Sequence, residues 1–198
     1  LESQNTKVIL PDSIQQIGSQ LIDNLYAENY VIYGYDKNTK NKVAVIASMR
    51  DDGPERHKHE IIDFQLKGIK IIADNALGNI KLVDQVWDAD SLIYIGSYAF
   101  NDQNAVFGKL SLDSLCKIGT AAFSNSTFNE IYLGHAKQLK EIAASAFNGC
   151  KKLTKMVFPE SLEQIDSSAF QLCSGLTGDL IIPQNVKVIL SSAFEDCF

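Results

Sequence analysis

Apolar positions along this chain recur at a fixed step. A six-residue run opens with isoleucine, continues through three mostly small or polar residues, and closes on Ala-Phe. It appears at Ile95–Phe100, Ile118–Phe123, Ile142–Phe147, Ile165–Phe170 and Ile189–Phe194. Ile72–Leu77 is a weaker copy and Ile17–Ile22 a weaker one still. The opening isoleucines are separated by 55, 23, 23, 24, 23 and 24 residues. Other slots keep the same step. Three residues after the Phe stand Cys150, Cys173 and Cys197, in a slot that holds Ser126 and Gln103 in earlier copies. Three residues before the marker isoleucine stands another aliphatic residue, among them Ile69, Leu92, Leu115, Leu162 and Val186. In between lies an alternating run: Leu110–Asp113, Ile131–Gly134, Met156–Pro159 and Leu180–Pro183.

A unit of this length cannot close a core alone, so the spacing predicts a solenoid whose stacked coils bury a continuous apolar column. The alternating run predicts a short strand, paired in parallel with its equivalents about 4.8 Å away. Ala before Phe suits a crowded position, and Pro159 and Pro183 sit at strand ends, where a missing N–H costs least. The expected core comprises Ile95, Phe100, Ile118, Phe123, Ile142, Phe147, Cys150, Ile165, Phe170, Cys173, Ile189, Phe194 and Cys197. Short helical or 3₁₀ pieces are expected around Ala-Phe.

The pattern resembles the BspA-like leucine-rich repeats, also called the Treponema pallidum type. Their repeat reads roughly Cys-x-x-Leu-x-x-Ile-x-Ile-Pro-x-x-Leu-x-x-Ile-Gly-x-x-Ala-Phe. Cys150–Phe170 and Cys173–Phe194 match it best, and the likeness extends from about Ile69 to Phe198. The resemblance implies a right-handed leucine-rich-repeat coil with short parallel strands. It also implies a non-enzymatic protein-binding module at the cell surface or secreted, because members are often adhesion proteins of host-associated bacteria and some protists. Host extracellular-matrix or plasma proteins are the partners this suggests. The alternative is a structural spacer that carries a domain absent from this chain.

The gap of 55 interrupts the array. Residues 1–25 read as a partial repeat, 26–63 as an inserted hairpin or cap, and 64–198 as the repeats proper. Within the insertion, Tyr30–Tyr35 and Val43–Ala47 flank a polar tip, which predicts a hairpin. At the other end the chain stops at Cys197-Phe198 directly after an Ala-Phe copy. An array left open there would expose apolar surface, so a further coil is expected in the natural protein, unless the chain has been trimmed.

Composition narrows the chemistry. The 198 residues carry 18 basic and 24 acidic side chains, a net charge of -6, which argues against nucleic acid as the partner. No apolar run reaches the length of a membrane span. The opening LESQNTKV is polar at once, so the chain reads either as cytosolic or as a mature protein whose signal has been removed. His57 and His59, beside Asp51, Asp52 and Glu60, could bind a metal and would be the only basis for a metal-dependent enzyme. Gly53-Pro54 and the density of charge favour a solvated loop, and no zinc-ligand spacing supports a metal. No catalytic constellation and no cofactor motif is present, so the chain reads as a non-enzyme.

The candidate site is therefore a surface. The aligned strands place Trp87, Ser111, Tyr132, Val157 and Ile181 in one outward row, and Gln85, Lys109, Glu130, Lys155 and Asp179 in the row before it. Aromatic and aliphatic residues beside mixed charges suit protein recognition.

Overall fold

The computed structural model describes residues 69–72, 74–77, 89–102 and 107–197, and the strand backbones at 8–10, 32–36, 42–46, 60–62 and 81–83. The strands, in order, are β1 (Val8–Leu10), β2 (Ile32–Asp36), β3 (Lys42–Ile46), β4 (Glu60–Ile62), β5 (Ile71–Ile72), β6 (Lys81–Val83) and β7 (Tyr94–Ile95). After them come β8 (Phe107–Ser111), β9 (Lys117–Ile118), β10 (Phe128–Tyr132), β11 (Glu141–Ile142), β12 (Lys155–Val157), β13 (Gln164–Ile165) and β14 (Val188–Ile189). They stack as a parallel β-solenoid with two strand columns per coil.

One column holds the marker isoleucines. Ile72, Ile95 and Ile118 lie opposite one another in β5, β7 and β9, and Ile142, Ile165 and Ile189 do so in β11, β13 and β14. The alternating runs form the second column, in which Leu110, Ile131 and Met156 are in register across β8, β10 and β12. The expected strand is therefore present, and the marker-isoleucine column is an additional one. Where the hairpin was expected, β2 and β3 pair antiparallel, and β3 continues in parallel into β5.

The third side of each coil is made of turns. No helix forms among the described residues, contrary to the expected helical pieces around Ala-Phe. The reason is local backbone geometry. Tyr98, Ala121, Ser145, Ser168 and Ser192 adopt left-handed φ values of 52–57°, and Asp102, Asn125, Leu172 and Asp196 do so at 56–61°. A left-handed residue at these points stops a right-handed helix at once.

What these residues gain is an inter-coil ladder. The N–H of Phe100, Phe123, Phe147 and Phe170 donates to the carbonyl of Ala122, Ala146, Ala169 and Ala193 in the next coil at 2.7–2.8 Å. Ala121, Ser145 and Ser168 donate to Ala144, Ser167 and Ser191 at 3.0 Å. Asn125, Gly149 and Leu172 donate to Asn148, Gln171 and Glu195 at 2.7–2.8 Å. All these donors point toward the following coil, which satisfies backbone groups that would otherwise be buried unpaired.

Behind the ladder the rings of Phe100, Phe123, Phe147, Phe170 and Phe194 stack face on, with centroids 5.1–5.3 Å apart. Phe128 meets Phe123 edge on at 5.4 Å, and Phe158 meets Phe170 at 5.6 Å. Both are favoured aromatic geometries. Ala99, Ala122, Ala146 and Ala169 are fully buried beside the stack, as the small-residue slot required.

The cysteine slot is a thiol ladder. Cys150 donates to the Phe123 carbonyl at 3.0 Å, Cys173 to Phe147 at 3.0 Å and Cys197 to Phe170 at 2.9 Å. Ser126 fills the slot with a hydroxyl that also bonds the Phe123 carbonyl. All four thiols are free. Contact with the Cys150 thiol, followed by burial, pushes the Cys173 pKa far up. Burial also raises Cys197.

Two core expectations need correction at the last coil. Ile189 occupies the marker slot yet is 49% exposed, and Phe194 is half-buried. β14 is the last strand of its sheet, and among the described residues no coil covers it.

Candidate binding surface

On β10, Ile131 and the following Leu133 point into the core and are fully buried, while Glu130 and Tyr132 are half-buried on the outer face. Parallel pairing extends both outer positions into rows. Lys109, Glu130 and Lys155 lie opposite one another, and so do Ser111, Tyr132 and Val157. The expected rows therefore exist across β8, β10 and β12.

Tyr132 is the hub. Its hydroxyl donates to Glu130 Oε2 at 2.8 Å. The ammonium of Lys109 lies 4.3 Å from its ring centroid and that of Lys155 lies 5.2 Å away. Each lysine belongs to the row beside Tyr132 and to an adjacent strand, a diagonal relation within reach of long side chains. A hydrogen bond with Tyr132, then that group's charge, raises the Lys155 pKa; desolvation opposes this, and the Glu130 carboxylate adds a last, weaker push upward. Both cations are drawn to the ring. Among the described residues no ion pair joins either lysine to Glu130; the ion pairs present join Glu163 to Lys140 at 2.8 Å and to Lys187 at 4.0 Å. The face thus presents a pre-positioned aromatic group, two cations and one carboxylate, with Val157 half-buried beside them.

One coil further on, Ile181 is 80% exposed and Asp179 is exposed, while Leu180 and Ile182 pack against the core. Alternation therefore carries both rows into that coil although no strand forms there. At the other end, the strand in the coil before β8 is β6, at Lys81–Val83. Trp87 and Gln85, expected to extend the rows, lie outside the described residues, as do His57 and His59. His135 is exposed in the turn after β10. Among the described residues no group of three His, Cys, Asp or Glu side chains could hold a metal ion.

The clamp of two lysines on Tyr132 is absent from the sequence expectations, which treated the rows separately. Its signal is present, since Lys109 and Lys155 stand 23 residues before and after Tyr132. A second polar cluster was also missed. Tyr94 donates to Asp74 Oδ1 at 3.3 Å, and the same oxygen accepts the Ser97 N–H at 2.8 Å. Burial, then the Asp74 carboxylate, pushes the Tyr94 pKa up to about 12. With Tyr94 only 3% exposed, this cluster ties a turn to its neighbouring coil.

The family model for the BspA type leucine rich repeat region matches residues 70–198 in six copies. Among solved structures, the chain is similar to a leucine-rich repeat protein from Eubacterium ventriosum ATCC 27560, determined at 2.50 Å resolution. Identity is 16% and the TM-score 0.47, and the match covers 96% of this chain but 58% of that one. No curated protein gives a significant match.

Proposed function

Because the chain belongs to the BspA-type leucine-rich-repeat family, we propose that it is a non-enzymatic protein-binding module of a secreted or cell-surface adhesion or interaction protein. Its contact surface is the outer face of β8, β10 and β12, centred on Tyr132. Leucine-rich repeats commonly mediate protein interactions, and solenoids bind through the outer faces of their strands. The observation that carries the reading is the Tyr132 hub: a tyrosine whose hydroxyl donates to Glu130 at 2.8 Å and whose ring is flanked by two lysines that form no ion pair with that carboxylate. Tyr supplies binding area at low entropic cost, and a side chain already held in place adds affinity by reducing the ordering needed on association.

The test is capture of extracellular-matrix and plasma proteins by wild type, Tyr132→Ala and a Lys109→Ala/Lys155→Ala pair, all at matched thermal stability. A partner held by wild type and lost by both variants supports the reading. A partner held equally by all three moves recognition elsewhere, and no partner for any of them favours the spacer.

A further inference from the structure

The charged row on this face alternates in sign. Lys109, Glu130 and Lys155 are in register on adjacent strands. Asp179 follows Lys155 by one 24-residue step and is exposed, its neighbour Leu180 turned to the core. The order across four coils is plus, minus, plus, minus. The row beside it runs Ser111, Tyr132, Val157, Ile181, polar at one end and apolar at the other.

Such a pattern is its own complement when reversed. A two-fold axis parallel to the strands and midway between β10 and β12 lays the face on a second copy with the coil order inverted. Lys109 then meets Asp179 of the other copy, and Glu130 meets its Lys155. In the second row Tyr132 meets Val157, and Ser111 meets Ile181. A closed two-fold contact uses each pair twice, as isologous interfaces do.

The charges are available for this role. Cross-strand neutralisation within the chain is the competing explanation for alternating signs. It would bring the lysines onto Glu130 as ion pairs, yet they lie over the Tyr132 ring, Glu130 accepts from the Tyr132 hydroxyl, and the Glu130 charge is the weakest of the influences on Lys155. Ile181, at 80%, is the most exposed large apolar side chain among the described residues.

We infer that the partner of this face is a second copy of the same chain, docked about a two-fold axis between β10 and β12 through the Lys109–Glu130–Lys155–Asp179 row. This rests on the reading of the face as a binding surface and names its occupant. The contact spans four coils, about 15 Å at strand spacing, so the dimer is weak and concentration-dependent.

Sedimentation equilibrium of the whole chain, up to millimolar concentration, tests this at an ionic strength of about 0.15 M, where remote charges are screened but contact pairs are not. Wild type should show a monomer–dimer equilibrium. Lys155→Glu or Glu130→Lys alone should weaken it by about tenfold or more, because each change sets like charges together twice. The double variant Glu130→Lys/Lys155→Glu restores opposite charges across the axis and should recover to within about threefold of wild type, the rescue a double-mutant cycle is designed to reveal. All variants are checked for unchanged thermal stability. A chain that stays monomeric throughout, or a double variant no better than the singles, overturns the inference. If the chain is monomeric yet still captures another protein through Tyr132, self-association fails and the binding face stands. If it is monomeric and no capture depends on Tyr132, both fail.

Discussion

On the turn side, the coils from Phe100 to Phe194 repeat the same contacts. Rings stack at 5.1–5.3 Å, and the N–H of Phe100, Phe123, Phe147 and Phe170 reaches an Ala carbonyl of the next coil at 2.7–2.8 Å. On the opposite face the same coils diverge. β8 and β10 have five residues and β12 three, while Asp179 and Ile181 lie in no strand. Outward positions there change from Ser to Tyr to Val to Ile. The turn side is held by interlocked backbone and rings, so it tolerates little change in side-chain size or backbone angle. The strand face is held by its inward residues, which leaves its outward ones free to vary. On the proposed reading, recognition chemistry collects where the scaffold places no demand.

The largest expected effect lies on the turn side. Phe147 contacts rings above and below it, so Phe147→Ala leaves a cavity mid-stack and should cost about 3–5 kcal/mol in urea denaturation. A loss below about 1 kcal/mol would mean that the stack does not hold the coils.

The thiol ladder should make stability fall in alkali. Native Cys173 and Cys197 have raised pKa values, so the folded form keeps its protons after the unfolded chain has lost them. Stability from these groups is complete below the ordinary thiol range, near pH 8.5. It falls above that pH, by up to about 1.4 kcal/mol per pH unit for each thiol that ionises only when unfolded. Tyr94, pushed up to about 12, adds a later loss starting above the ordinary tyrosine value, near pH 10. Denaturation midpoints across that range should show both. In native protein near neutral pH, the half-buried Cys116 should react with a thiol reagent before the three buried cysteines. Equal rates for all four would contradict the ladder.

A smaller effect is expected at a left-handed backbone position. Leu172 holds a φ of 61° in the slot that Gly149 fills at 72°. Leu172→Gly should relieve left-handed strain and raise stability by about 0.5–1 kcal/mol, less whatever its half-exposed side chain contributes. The smallest effect is expected on the strand face, where Tyr132→Ala should move the thermal midpoint little.

The buried column was legible because five copies present the same residue in the same slot, as with Phe100 through Phe194. The marker-isoleucine strands were not, because two residues such as Glu141 and Ile142 show no alternation to read. The left-handed positions were hidden too. Tyr98, Ala121 and Ser145 share no side-chain signature, and their conformation is imposed by the inter-coil ladder. Ile189 matches its slot in sequence, but its burial depends on a coil lying over it. On the candidate face, the rows followed from strand alternation. The Tyr132 clamp needed the exact register, which sets Lys109 and Lys155 on the diagonal rather than directly opposite.

The most direct measurement is partner binding by the wild-type chain and Tyr132→Ala at equal thermal stability, with Phe147→Ala as the destabilised control. Loss of binding in Tyr132→Ala, with its thermal midpoint unchanged, is the expected result and separates the recognition face from the scaffold. Undiminished binding by Tyr132→Ala would contradict the assignment of recognition to the strand face.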